Sequence, residues 1–389
     1  MNTSLQHNLC ERQATTVGVP HSDYNTKRNI LDSLPVGFVR VRPWDPGRVR
    51  AIIRRRIRRP TYRRSYFYFR RPYFPDAEIF HFWNSVANIH RPWVTTFEHT
   101  VPLWDTSNRE ELRFGLKLAR RDECRRLIAF SCAAFDSAVS KWHGLLPSTE
   151  ADSLIAKTEI LLPPQPIIYE RTGESKRHPV FAFVGKEFYR KGGLEVLEAF
   201  DALYATGRRD WQAIVVGDLS SFGDYASQTD SGAKARAVQL LERLRPNLRH
   251  VPTPVPHNAV IDILRQADFY LLPTYADTFG YTVLEAQACG AVAVATDVGS
   301  LPEVVTAQTG LVIPLRDDLS ANTLPKINVA QVKREFAIRV RDTVMRCLDM
   351  PLDRRASLRN SATAQLRRNH CPISHSTRLG SIYRIALEG

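Results

Sequence analysis

Short apolar runs alternate with amphipathic stretches along the second half of the chain. The runs predict strands and the stretches predict helices, an alternation typical of a parallel sheet with crossover helices. Several runs are apolar at every position, as expected for strands that are covered on both faces. The predicted strands lie at 179–185, 211–218, 248–254, 267–273, 291–297 and 310–314. The predicted helices lie at 192–207, 233–244 and 257–266, with a fourth that begins near 277 and runs to 289.

The first half has a weaker version of the same pattern. Its predicted strands lie at 77–83, 93–99, 125–131 and 158–164, and its helices at 109–124 and 133–146. We therefore expect an α/β protein with two facing Rossmann-like, doubly wound domains. A segment rich in proline and charge at 163–179 predicts an interdomain linker. The domains are then 1–170 and 171–370, followed by a C-terminal helix at 371–389 that packs back on the first domain.

Length, composition and charge restrict the class of protein. The chain has 389 residues, enough for two domains, and a net charge of +14 that favours an anionic partner. No apolar stretch approaches the roughly 20 residues that span a bilayer. The N-terminus lacks the layout of a secretion signal, so we expect a cytoplasmic protein. The six cysteines have no CxxC spacing, which favours a reducing compartment and argues against structural zinc.

The predicted helix that ends near 289 contains an unexpected carboxylate, Glu285, among apolar and small residues. A buried carboxylate costs free energy unless something pairs with it. The partner is either a bound ligand or a nearby lysine in the core. Asp277 lies eight positions earlier, near the start of the helix. Since aspartate is a favoured N-cap residue, a purely structural role is the alternative for Asp277.

The first of two turns with features of a phosphate site is VGKEFYRKGG (184–193). Lys186 and Lys191 flank this turn, and Gly192 and Gly193 lie at the start of the next helix. Glycine lets the backbone approach a ligand, and a helix N-terminus attracts anions. The spacing is neither a Walker P-loop nor GxGxxG, so a solvated basic turn is the alternative interpretation.

The second such turn is DTFGYT (277–282). It places Gly280, Tyr281 and Thr282 at another helix N-terminus, where backbone N–H groups can bind phosphate. Both turns follow strands of one predicted sheet. They are therefore expected to converge on the crevice at the carboxyl ends of its strands, where ligands of such sheets bind.

These motifs together resemble the donor-binding domain of retaining GT-B glycosyltransferases, glycosyltransferase family 4. The family's Gly-Arg-x4-Lys-Gly turn corresponds to GKEFYRKG (185–192), with Lys186 in place of the arginine and Lys191 at the lysine. Its two glutamates, separated by seven residues and followed by Ala-x-Ala-x-Gly, correspond to Asp277 and Glu285, followed by AQACG.

The resemblance covers about 180 to 315 and is weak in the first half. There VTTFEHT (94–100) resembles the family's strand that ends in a histidine near the donor sugar, which would be His99. Without the family, a lone histidine at a strand end is more often structural. The family's glycine-rich turn after its first strand is not evident, because neither Gly18 nor Gly37 fits it well.

The resemblance implies a nucleotide-diphosphate sugar as donor and a catalytic pair of His99 and Asp277. Glu285 would bind the ribose hydroxyls, and Asp277 would lie near the donor sugar and its departing phosphate. Lys186 and Lys191 would stabilise the diphosphate charge, and we expect Lys191 in an open cleft. The leaving phosphate would take the proton of the acceptor, a lipid-linked or polysaccharide glycan, and the sugar would keep its configuration.

Neither a metal nor another cofactor is expected. The chain has no DxD motif, and no HExxH or clustered Cys/His site. Two departures from the family matter for the chemistry. Asp277 is one methylene shorter than the family's glutamate, and Lys186 is a point charge where an arginine would make a forked contact.

An arginine-rich segment at 48–71 contains eleven arginines and no acid. Its part at 47–59 predicts a basic amphipathic helix, and tyrosines and phenylalanines follow it. This combination suits an anionic membrane surface. The alternatives are a helix packed on the first domain with solvated arginines, and nucleic-acid binding, which the segment favours least. A catalytically silent GT-B-like protein that uses this segment to bind its partner is the alternative to an enzyme. An epimerase or phosphorylase on the same fold is a weaker third hypothesis.

Overall fold

The computed structural model describes residues 14–43, 66–68, 77–103, 108–171, 178–221, 232–315 and 329–388. The arginine-rich segment therefore lies outside the described residues, apart from 66–68. The chain forms two compact units. Unit 1 comprises 1–164 together with 372–389, and unit 2 comprises 165–371. The boundary thus falls at the start of the predicted linker, six residues before the position expected from the sequence.

Unit 1 is built on a parallel sheet of six strands in the order β2-β1-β4-β6-β7-β8. These strands are β1 (Thr15–Gly18), β2 (Phe38–Val41), β4 (Ile79–Trp83), β6 (Trp93–Phe97), β7 (Cys124–Ala129) and β8 (Thr158–Ile160). A second, two-stranded sheet pairs β3 (Tyr66–Tyr68) with β5 (Val86–Asn88) in parallel. The aromatic part of the arginine-rich segment thus contributes a strand.

The helices of unit 1 come from the first part of the chain and from its C-terminal end. They are α1 (Tyr24–Thr26), which continues as a π-helical turn over Lys27–Leu31, α2 (Arg109–Arg120), α3 (Cys132–Leu145), α4 (Ser148–Ala156) and the C-terminal helix α12 (Pro372–Glu388). Helix α12 packs on the sheet through Tyr383, whose hydroxyl lies 2.7 Å from Nδ1 of His81. Burial lowers the pKa of His81 to about 3, so its imidazole is a neutral part of the core at pH 7.

Unit 2 repeats the architecture with a parallel sheet in the order β11-β10-β9-β12-β13-β14. Its strands are β9 (Val180–Glu187), β10 (Gln212–Asp218), β11 (Leu248–Val251), β12 (Phe269–Leu272), β13 (Val292–Thr296) and β14 (Gly310–Ile313). Its helices are α5 (Gly193–Ala205), α6 (Ala233–Leu244), α7 (His257–Gln266), α8 (Tyr281–Ala288), α9 (Leu301–Val304), α10 (Val329–Leu348) and α11 (Leu352–Asn369).

The predicted elements of unit 2 occur close to their expected positions because its strands are continuous apolar runs. Strands β12 and β13 are buried at every position. Strand β11 ends at Val251 rather than at 254, since Pro252 and Pro254 have no N–H to donate to a neighbouring strand. In unit 1, β1, β2 and α1 were not predicted, because each has only three or four residues. None of the described helices is both long enough and apolar enough to cross a bilayer.

Candidate functional site

The turns after β9 and β12 flank the switch point of the six-stranded sheet of unit 2. From β9 the chain proceeds to β10 and β11 on one side, and β12 then pairs with β9 on its other side. The connections after β9 and β12 therefore leave the sheet in opposite directions and open a crevice at the carboxyl ends of the strands. Ligands of open α/β sheets bind in such a crevice.

The two turns are in direct backbone contact at Gly192. This residue has a φ of +80°, and a Cβ atom there would lie 1.8 Å from the carbonyl oxygen of Pro273. Only glycine permits both the left-handed conformation and this approach. The backbone N–H of Tyr275 donates to the carbonyl of Arg190 at 2.9 Å, which fastens the second turn to the first.

Lys191 and Asp277 form an ion pair across the two turns. Their side chains are 19% and 9% exposed, so Lys191 does not lie in the open cleft expected from the sequence. The other oxygen of Asp277 accepts a hydrogen bond from the backbone N–H of Gly280 at 3.1 Å. Gly280, with a φ of +80°, is the N-cap of α8, so the alternative interpretation of Asp277 as the N-cap was wrong.

The remaining predicted phosphate-binding residues lie around this pair. Lys186 is exposed near the end of β9, while Tyr281 and Thr282 are half-buried in the first turn of α8. Thr282 lies near the hydroxyl of Tyr270, a strand residue that was not singled out from the sequence. Burial, together with the nearby negative charges of Asp277 and Glu285, raises the pKa of Tyr270 and keeps its hydroxyl protonated. The protonated hydroxyl of Tyr270 therefore donates its hydrogen bond to the Val184 carbonyl, 3.3 Å away.

Glu285 is buried in α8, with only 4% of the residue exposed. Lys191 pairs with Asp277 and not with Glu285. The imidazole of His257, at the start of α7, lies with its Nε2 4.0 Å from Oε1 of Glu285 and is largely exposed. The buried carboxylate of Glu285 thus lies close to a side chain that solvent can reach.

A second buried carboxyl, Glu195, lies in the first turn of α5. The hydroxyl of Tyr275 donates to its Oε1 at 2.6 Å, and its Oε2 is buried without a hydrogen-bond partner among the described residues. Burial raises the pKa of Glu195 to about 7. The ring of Tyr275 in turn packs on Phe336 of α10, with ring centroids 5.0 Å apart. Sequence analysis missed Glu195, although a glutamate surrounded by apolar positions in an amphipathic helix was a usable signal.

His99 lies in unit 1, two residues after the end of β6. Its Nε2 is 3.3 Å from the hydroxyl of Ser137. His99 is exposed, but partial desolvation, with a smaller effect from the charge of Lys141, lowers its pKa and favours the neutral imidazole. A neutral imidazole can exchange hydrogen bonds with a sugar hydroxyl. The role at the donor sugar that the resemblance implies stays a prediction.

Gly299 is a further glycine of the site that the sequence analysis did not identify. Its φ is +56°, and a Cβ atom there would lie 2.0 Å from the carbonyl oxygen of Asp277. The turn sequence DVGS directly after a predicted strand was the signal from which Gly299 could have been identified. Within the described residues, no group of three or more His, Cys, Asp and Glu side chains is placed to hold a metal ion.

Comparisons with known proteins relate this geometry to a family. Residues 165–324 match the model of the family glycosyl transferases group 1. Over most of its length the chain is similar to the crystal structure of Anabaena Alr3699/HepE in complex with UDP and glucose. The TM-score is 0.57 at 13% identity, and the alignment covers 95% of this chain and 99% of that one. The protein has the GT-B fold. The two Rossmann-like sheets predicted from the sequence are thus confirmed.

Curated relatives match part of the chain. The Saccharomyces cerevisiae phosphatidylinositol N-acetylglucosaminyltransferase GPI3 subunit is 26% identical over 242 residues, which are 58% of this chain and 50% of the relative. The Corynebacterium jeikeium D-inositol 3-phosphate glycosyltransferase is 32% identical over 145 residues, which are 36% of this chain and 33% of the relative. The chain thus spans half the length of these relatives or less. The predicted similarity to GT-B glycosyltransferases is confirmed, whereas family 4 membership and retention of configuration stay predictions.

Proposed function

We propose that this protein is a retaining glycosyltransferase of family 4 that binds a nucleotide-diphosphate sugar at the switch point of unit 2. The observation that carries the proposal is the Lys191–Asp277 pair across two glycine turns that open α5 and α8. Two helix N-termini and a lysine at one crevice suit a diphosphate, and an adjacent carboxylate suits sugar or ribose hydroxyls. The UDP and glucose bound to Anabaena HepE make UDP-glucose the first donor to test.

In the proposed reaction, the bond between the anomeric carbon and the diphosphate oxygen breaks, and a bond to an acceptor oxygen forms on the same face of the sugar. The acceptor's proton passes to the leaving phosphate. Lys186, Lys191 and the N-terminus of α5 stabilise the charge that develops on the diphosphate. Glu285 binds the ribose hydroxyls, and Asp277 and His99 contact the transferring sugar. No metal is required in this scheme, because the basic turn supplies the positive charge.

The acceptor in this proposal is a lipid-linked or inositol-containing molecule. Both curated relatives are named for acceptors that contain inositol and phosphate. A net charge of +14 suits such an anionic acceptor or the membrane that carries it. The protein would then work at a cytoplasmic membrane surface, to which the arginine-rich segment at 48–71 brings it.

The experiment is incubation of the full chain with a panel of UDP- and GDP-sugars, with and without inositol acceptors, followed by detection of free nucleotide diphosphate. We expect release from at least one donor, and we expect it to persist in EDTA. A product whose anomeric configuration is inverted, by NMR, would contradict the retaining assignment. Complete loss of transfer in EDTA that magnesium or manganese restores would contradict metal independence. Release from no donor would favour the catalytically silent alternative.

A further inference from the structure

The proposed reaction does not use the carboxyl of Glu195, which lies in the first turn of α5. The residue is 6% exposed, and its Oε2 is buried without a hydrogen-bond partner among the described residues. Helix α5 begins at Gly192, which has no side chain to bind the N–H groups of the first turn. A negative charge on Glu195 and an anion bound at the start of α5 would therefore interact with the same positive helix end.

Tyr275 connects Glu195 to the turn after β12. Its hydroxyl donates to Oε1 of Glu195 at 2.6 Å, and its ring packs on Phe336 of α10. Its backbone N–H donates to the carbonyl of Arg190 in the turn after β9 at 2.9 Å. The guanidinium of Arg190 in turn donates to the carbonyl of Ala276. The position of the turn that carries the aspartate of the site thus depends on the contact between Tyr275 and Glu195.

The titratable groups that face Glu195 come from three elements. They are Glu198 on α5, Tyr275 in the turn after β12, and Lys333 on α10. Charged side chains of the adjacent α6 and β9 have other partners: Arg236 pairs with Glu198, Arg243 with Asp201, and Glu187 with Arg190, while Lys186 is exposed. Burial has the largest effect and raises the pKa of Glu195 to about 7. Both forms of the carboxyl are therefore populated near neutral pH.

Ionisation of Glu195 acts on a bound diphosphate in one direction. The carboxylate would place a negative charge in the first turn of α5, where it repels another anion. Because the carboxyl is buried, salt and water screen this repulsion less than they screen a surface charge. By linkage, a bound diphosphate raises the pKa of Glu195 further. The affinity is then highest when the carboxyl is protonated, and it falls as the pH rises through the pKa of the free protein.

We propose that Glu195 is a positioning residue of the donor site, which holds the turn after β12 through Tyr275 and weakens binding of the nucleotide-diphosphate sugar when it is ionised. The inference rests on the proposed function in one respect, namely that such a donor binds at the start of α5.

The test measures the dissociation constant of UDP-glucose for the full chain by calorimetry at about pH 6 and about pH 8.5, on either side of the pKa of Glu195. UDP-glucose is the probe because its diphosphate has no group that titrates in this range. We expect the wild type to bind at least tenfold more weakly at the higher pH. Glu195→Gln cannot ionise and keeps an acceptor for Tyr275, so its affinity should change less than twofold.

A second variant, Tyr275→Phe, removes the hydroxyl and keeps the ring that packs on Phe336. The hydrogen bond from Tyr275 lowers the pKa of Glu195 against the effect of burial. Its loss should therefore move the midpoint of the pH dependence to a higher pH. Binding at the lower pH should weaken several-fold, since the turn after β12 is held less firmly. A residue that served the fold alone would leave the midpoint where it is.

The matched control is Glu198→Gln, which removes a carboxylate of the same helix whose side chain is 25% exposed and paired with Arg236. This variant should keep a loss of affinity of at least tenfold between the two pH values. The same pH dependence in wild type and Glu195→Gln would overturn the inference. A wild-type affinity that does not change with pH would overturn it too, as would the absence of UDP-glucose binding.

The outcomes separate this inference from the proposed function, which the panel of donors and acceptors decides. Binding of UDP-glucose with a pH dependence that requires Glu195, but without transfer from any donor, would keep the inference and overturn the proposed function. Transfer together with an affinity that Glu195→Gln leaves equally dependent on pH would keep the proposed function and overturn the inference.

Discussion

Glu195 combines deep burial with a position in the first turn of the helix that begins at the glycine turn. The positive end of a helix favours a negative charge there, but burial raises the pKa of Glu195 to about 7. The titratable groups around it are Glu198 on its own helix, Tyr275 in the turn after β12, and Lys333 on α10. Desolvation raises the pKa of Glu195 more than the hydrogen bond from Tyr275 lowers it. In the folded protein the carboxyl therefore stays protonated at pH values well above its pKa in the unfolded chain.

This shift predicts how stability depends on pH. The folded-state pKa is raised from 4.5 to about 7, so the contribution of Glu195 is fully present below 4.5 and is lost as the pH rises through 7. Glu195→Gln cannot ionise and keeps an acceptor for Tyr275. Denaturant unfolding should therefore show a stability gain over wild type that grows from pH 5 and reaches on the order of 3 kcal/mol above pH 8.

The matched control for Glu195→Gln is Glu198→Gln. It removes a carboxylate from the same helix, but one whose side chain is 25% exposed and paired with Arg236. The same pH-dependent gain in both variants would show that the effect does not come from the buried carboxyl.

The pair of Lys191 and Asp277 couples stability to nucleotide binding. Lys191→Ala should weaken UDP binding at least tenfold in calorimetry, because it removes a cation from the glycine turn. It should also lower the free energy of unfolding by about 2 kcal/mol, because Asp277 is left without its partner. This loss lies between those expected for breaking an exposed and a buried ion pair. The double variant Lys191→Ala with Asp277→Ala should regain stability without regaining affinity. Full affinity in the double variant would mean that Lys191 does not contact the nucleotide.

At the scale of elements, the contact between the turns after β9 and β12 depends on Gly192. Gly192→Ala should cost about 3 kcal/mol or more, because it adds a clash with the Pro273 carbonyl to a strained positive φ. Gly207→Ala is the matched control, since Gly207 has a φ of +85° and no atom within 4 Å of the added Cβ. It should lose only about 1–2 kcal/mol in chemical denaturation. Equal losses would mean that the close approach of the two turns contributes nothing to stability.

The elements of unit 2 could be predicted because hydrophobic pattern and turn residues agree there. The runs at 179–185 and 291–297 are long and apolar, and glycines mark the turns. In unit 1 the pattern is weaker, and β1 and β2 have only four residues each. A four-residue run gives too few positions to distinguish a strand from a loop.

From the sequence, the motifs of the candidate site could be predicted, but not the contacts between them. Lys191 and Gly280 were singled out because their residue types suit phosphate at a helix start, and Asp277 because the resemblance places it near the donor sugar. That Lys191 pairs with Asp277 rather than with Glu285 depends on the distance between two turns, and a linear sequence does not contain that distance. In unit 1, Asn25 and Asn84 both hydrogen-bond Glu98, and no spacing rule connects residues that lie up to 73 positions apart.

At the scale of the whole molecule, positive charge is concentrated where the sequence predicts a surface function. The chain carries a net +14, and eleven of its 54 lysines and arginines lie in the 24 positions of the segment 48–71. Each arginine near an anionic membrane contributes on the order of 1 kcal/mol, so a few in contact suffice for reversible recruitment. The proposed lipid-linked acceptor and this segment therefore lead to the same test, which is binding to anionic vesicles.

We expect the full chain to pellet with vesicles that contain phosphatidylserine, and only weakly with phosphatidylcholine alone. Raising the salt from 0.1 to 1 M, which shortens the Debye length from about 10 to about 3 Å, should weaken pelleting without abolishing it, because Ile52, Ile53 and Ile57 add an apolar contribution.

Replacing five arginines of the segment with glutamine should abolish pelleting and leave UDP binding intact. These five are Arg54, Arg55, Arg56, Arg58 and Arg59. A charge-matched control replaces five exposed arginines of unit 2, namely Arg334, Arg346, Arg354, Arg367 and Arg368. If both sets reduced pelleting equally, net charge rather than the segment would be responsible, and equal pelleting with neutral vesicles would contradict recruitment by anionic lipid.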